Sequence, residues 1–223
     1  MRTDELRGRE DYETILAETL RRGWSLQYGC EFRVSVPVQQ GEQLWFEQSL
    51  LSALYTRGVE SRVRRYLADS FRYTTVSWRA PAQWMLGTLL SSSQALRWRA
   101  RPALSVFPDV ANSESLVVIP GNQRVRIVDF ERGLCRVMLK AGFDARAIAL
   151  EAAVRGPGSK GPFVSLTAVD LENGWFEEPL IEGFNLARCP PWRDRERLMR
   201  RAHALRSLVR QGRALRSWGR TRY

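Results

Sequence analysis

The feature that most narrows the fold is a set of three short apolar runs crowded between Leu116 and Lys140. Leu116 to Ile119 stops at Pro120-Gly121-Asn122, and Val125 to Val128 stops at Glu131-Arg132-Gly133. In the third run Cys135, Val137 and Leu139 alternate with Arg136, Met138 and Lys140. Segments this short, parted by tight-turn residues, predict an antiparallel meander. Asp144 then offers an N-cap, and Ala145 to Arg155 is rich in helix formers before Gly156-Pro157-Gly158 stops it. Phe163 to Val169 and Gly174 to Ile181 read as two further strands joined through Glu172-Asn173-Gly174. The expected order is strand, strand, strand, helix, strand, strand, an α+β unit with a five-stranded antiparallel sheet and one helix.

Upstream, the spacing of apolar residues predicts a mainly helical domain over 1–108. Helices are expected at 11–22, 41–54, 59–71 and 81–98, with one short strand where Phe32, Val34 and Val36 alternate with polar residues. Trp45, Trp78, Trp84 and Trp98 are read as packing residues. Pro102, Pro108, Asp109, Asn112 and Ser113 mark 100–112 as a linker. The second domain spans 115–188. Leu198, Ala202, Leu205, Leu208, Val209 and Leu215 then give an arginine-flanked helical stripe in a third segment, 192–223.

With 223 residues, 44% of them hydrophobic, the chain can bury a sizeable core. Its most apolar stretch, 80–98, is interrupted by Gln83, Ser91, Gln94 and Arg97, so a core helix is expected there and no transmembrane segment. Three scattered cysteines and a charged N-terminus without an apolar run point to a cytoplasmic protein. Neither the cysteines nor His203, the single histidine, has metal-ligand spacing, so no metal site is expected.

The formal charge is +11. From Trp192 onward there are eleven arginines against Asp194 and Glu196, so nine of those charges lie in the last segment. Lysine is nearly absent: Lys140 and Lys160 are the only two.

A lysine closing the third strand and a glutamate within the following helix resemble the small lobe of the protein-kinase-like phosphotransferases, in particular the aminoglycoside phosphotransferase family. Val137-Met138-Leu139-Lys140 resembles the family's strand-borne lysine, Glu151 its paired helix glutamate, and Trp175 to Gly183 the strand and hinge beside the adenine. The resemblance implies ATP as the cofactor, with Lys140 on its phosphates and Glu151 orienting Lys140. Glu178 and Ile181 would frame the adenine, and the turn holding Gly121 would approach the phosphates. That turn has one glycine where the family has a series.

The chemistry-bearing half of the family pattern is missing, and no catalytic residue is expected. The family's large lobe supplies a catalytic aspartate, an asparagine for magnesium and a second metal-binding aspartate. After Gly183 the only acidic residues are Asp194 and Glu196. Pro120-Gly121-Asn122 followed by Val128-Asp129-Phe130 is no compressed catalytic loop, because the base would fall at Val117; Asp129 reads as a strand-end residue. The expectation is therefore a small-molecule phosphotransferase fragment or degenerate nucleotide-binding lobe, inactive alone, with magnesium bound only when a separate catalytic lobe is present. The alternative is a basic binding protein whose arginine-rich segment contacts nucleic acid, another polyanion or an acidic membrane surface.

Overall fold

The computed structural model describes residues 11–48, 52–72, 80–90, 92, 96, 100–156 and 164–181. The expected basic helix at 192–223 lies outside them.

Helix α1 (Tyr12–Tyr28) forms where Leu16, Leu20, Gly23 and Trp24 recur at helical spacing and become its buried face. It ends at Gly29, whose left-handed φ of 66° lets its N–H reach the Ser25 carbonyl at 3.0 Å. Then come β1 (Arg33–Ser35), β2 (Gln43–Gln48), β3 (Ala53–Tyr55), α2 (Ser61–Arg72), α3 (Ala80–Leu90) and β4 (Arg101–Phe107). A 3-10 turn at Ser113–Ser115 leads into β5 (Leu116–Pro120), β6 (Arg124–Asp129), β7 (Leu134–Leu139), α4 (Arg146–Arg155), β8 (Ala168–Asp170) and β9 (Trp175–Pro179).

The five strands expected after residue 115 are present, but the five-stranded sheet is a correction. Among the described residues nine strands form one antiparallel sheet in the order β1-β4-β2-β3-β5-β6-β7-β9-β8. Two of the additional strands stand where a helix was expected, at 41–54. Trp45 and Phe46 are adjacent and both buried, on opposite faces of the sheet. A strand covered on both faces reads as a continuous apolar run, which also satisfies a helical period. The expected linker at 100–112 is β4, with Leu104 and Val106 in the core. Pro102 is tolerated because the β2–β4 register shifts between Trp45 and Phe46, so its missing N–H falls at a bulge.

Each face of the sheet carries a core. On one side α1 lays Leu16, Leu20 and Trp24 over Trp45, Leu54, Val118, Ile127 and Met138, with the Trp24 and Trp45 ring centroids 5.3 Å apart. On the other, Val63 and Leu67 of α2 and Ile148 of α4 cover Val117, Val128, Val137, Leu139 and Phe176. Fully burying each such side chain stabilises by about 1.5–3 kcal/mol. Among the described residues no helix is long and apolar enough to cross a membrane.

Candidate functional site

Along β7 the alternation of side chains decides which residues can meet. Val137 and Leu139 point toward α4, whereas Met138 points toward α1. Lys140 follows on the Met138 side. It is only 4% exposed, and its Nζ lies 4.7 Å from the centroid of the Tyr12 ring on α1. Its N–H donates to the Gln123 carbonyl at 3.0 Å, which ties the β5–β6 turn to the end of β7.

Helix α1 is fastened over this corner by three polar contacts. Arg22 Nη2 donates to the Leu139 carbonyl at 2.8 Å, Arg136 Nη1 donates to Gln27 Oε1 at 3.1 Å, and the Ala141 N–H donates to Thr19 Oγ1 at 3.3 Å. Gly23 permits the approach, because a Cβ there would fall on the Met138 thioether.

Glu151 lies on the opposite face. It pairs with Arg124 of β6 and, at 3.5 Å, with Arg155 one helical turn on. Arg155 in turn pairs with Glu178 of β9 and donates from Nε to the Val164 carbonyl at 3.1 Å. The structure thus brings Glu151 and Glu178 into one network, Arg124–Glu151–Arg155–Glu178, and does not bring Glu151 to Lys140. The physical reason is the two-residue period: α4 covers the Val137 and Leu139 face, and Lys140 stands on the other. These four side chains are 19–30% exposed, so solvent screens the network and its chief effect is to fix α4 against β6 and β9.

The remaining expected site residues serve local structure. The Gly121 N–H donates to the Arg124 carbonyl at 2.8 Å, and a Cβ on Gly121 would lie 2.9 Å from that oxygen, so the glycine closes the turn. Ile181 follows β9 and is exposed. Glu182 and Gly183, the end of the expected hinge, lie outside the described residues. Asp129 ends β6 and accepts the Arg132 N–H at 2.8 Å, a strand-end role.

Sequence reasoning gave no site role to Tyr12, Thr19 or Arg155. The Glu151–Arg155 spacing was a usable signal for the last; nothing local in the sequence marks Tyr12. Burial pushes the Cys135 thiol up to about 12, with Glu178 adding to the shift, so it is no nucleophile near neutral pH. Among the described residues no group of three or more His, Cys, Asp or Glu could hold a metal ion. An open groove of about 420 Å³ runs between α1 and β1, walled by Glu13, Ala17, Glu18 and Val34, away from all of the expected site residues. No family model matches this chain, and no curated protein or solved structure is significantly similar to it.

Proposed function

We propose that residues 115–188 are a kinase-like nucleotide lobe that performs no phosphoryl transfer by itself. The observation that carries the reading is the run β5-β6-β7-α4-β8-β9, with Lys140 directly after the third strand and embedded in the protein. A lysine anchored at the end of a rigid strand offers a compact cation to the α and β phosphates of a nucleotide. The acceptor would be a small molecule, and the aspartates and magnesium would come with a catalytic lobe. Glu151, engaged with Arg124 and Arg155, fixes α4 and leaves the orientation of Lys140 to its own surroundings.

ATP turnover by the purified chain tests the reading. The expected result is no consumption of MgATP above the buffer blank. Turnover that disappears in Lys140→Ala would overturn the claim that the lobe is silent alone.

A further inference from the structure

Helix α3 (Ala80–Leu90) lies where a core helix was expected, yet it is covered on one side only. It packs on α2, with Gln83 half-buried and Gly87, one turn on, buried. Nearly opposite on the helix, Ala82, Met85 and Leu89 recur at helical spacing and are exposed, Met85 by 60% and Leu89 by 57%. A lone exposed apolar side chain is ordinary on a protein surface, but several on one helix face mark a contact.

The charges around this face narrow what covers it. From Ala80 to Leu96 no residue is charged, in a chain of which 26% is. The flanks are basic: residues 61–101 hold eight arginines against the single acidic residue Asp69, a balance of seven positive charges. Among them Arg62 and Arg65 of α2 and Arg101 at the start of β4 are exposed. A nucleic acid would satisfy the arginines but leave Met85 and Leu89 against phosphates and water. An anionic lipid bilayer suits both, with headgroup charges for the guanidinium groups and acyl chains for the apolar side chains. At 11 residues α3 is far short of the ~20 that a crossing needs, so the contact is with the bilayer surface.

We propose that the outer face of α3 is a docking surface for an anionic lipid bilayer, with Met85 and Leu89 inserted among the headgroups and the flanking arginines against lipid phosphates. The surface is distinct in sequence from the arginine-rich segment 192–223 and does not depend on the nucleotide reading.

Flotation of the full-length chain with vesicles tests the proposal. The chain should float with mixed phosphatidylserine and phosphatidylcholine vesicles and not with phosphatidylcholine alone, and added salt should release it. Equal flotation with both kinds of vesicle would overturn the proposal. Met85→Gln/Leu89→Gln should lower the bound fraction at least ~5-fold while the circular dichroism spectrum is unchanged. Leu89→Trp adds an interfacial anchor and should tighten binding about two- to threefold, an effect that loss of folding cannot mimic. On anionic vesicles the amides of α3 should exchange hydrogen more slowly than in solution. Both variants keep residues 192–223. Wild-type binding by the double variant, or exchange slowed in that segment and not in α3, would therefore give lipid binding to the segment and overturn the proposal. A chain that does not float also overturns it; if that chain sediments as a dimer and the double variant as a monomer, the face belongs to a second copy.

Discussion

The pair Arg136–Glu177 is the sharpest test of how the sheet is held to α1. The two residues face each other across β7 and β9. Arg136 donates from Nε at 3.0 Å and from Nη2 at 2.6 Å to Glu177 Oε1, reaches Gln27 on α1, and lies 4.5 Å from the Trp175 ring centroid. Their side chains are only 12% and 9% exposed. Removing one member of a buried pair strands the other charge and costs about 3–5 kcal/mol. Here the residual exposure, and Arg132 at 3.7 Å from Glu177, reduce that cost. Arg136→Met and Glu177→Leu should therefore each destabilise by about 2–3 kcal/mol. The double variant leaves no stranded charge and should cost only about 1–2 kcal/mol, a coupling of at least about 2 kcal/mol. Urea unfolding followed by tryptophan fluorescence reads this directly. With a slope of about 2 kcal/mol/M, each single variant lowers the midpoint by about 1–1.5 M and the double by less. A double variant whose cost equals the sum of the singles within about 0.5 kcal/mol would show that the two side chains do not act as a unit.

Two further outcomes are expected. At neutral pH Cys30, which is exposed, should react with a thiol reagent, while Cys135, buried with its thiol raised to about 12, should react only on unfolding; peptide mapping that finds Cys135 modified in the native chain would contradict its burial. Glu42 is held below its ordinary value of 4.5, first by the Ser105 hydroxyl at 2.5 Å and then by Arg33, and Asp170 below 3.8, first by the Asn173 N–H at 2.9 Å. The folded chain binds these protons less tightly than the unfolded one. Their contribution to stability is complete above the ordinary values and is lost as pH falls through the lower, folded ones. Acidification below about pH 4 should thus destabilise the fold, and Ser105→Ala should move the Glu42 titration, read by NMR, back toward 4.5. A Glu42 that titrates at 4.5 or above in the intact protein would refute this.

Much of this architecture was legible because the signals are local. The turns at Gly121 and Gly133 bound the meander, the stripe of Leu16, Leu20 and Trp24 marks α1, and the run from Ala145 to Arg155 marks α4. The first hundred residues misled where local signals are ambiguous. Trp45 and Phe46 fit a helix as well as a doubly covered strand, and Pro102 and Pro108 disguised β4 as a linker. Lys140 directly follows β7 and Glu151 lies within α4, yet the relation between them was not legible. Spacing places Lys140 on a strand and Glu151 on a helix, but which sheet face each occupies depends on what covers that face.

The sequence by itself determined where the chain turns, which residues alternate and which helix stripes must be buried, since hydrophobic period and turn chemistry act over a few residues. Only the tertiary structure decided that nine strands among the described residues share one sheet, that β3 joins β5 through the pair Leu54 and Val118, and that Tyr12 stands over Lys140. Those outcomes depend on contacts such as Thr19 with Ala141, 122 residues apart, whose energy arises when two distant surfaces dock and leaves no periodic trace in either segment.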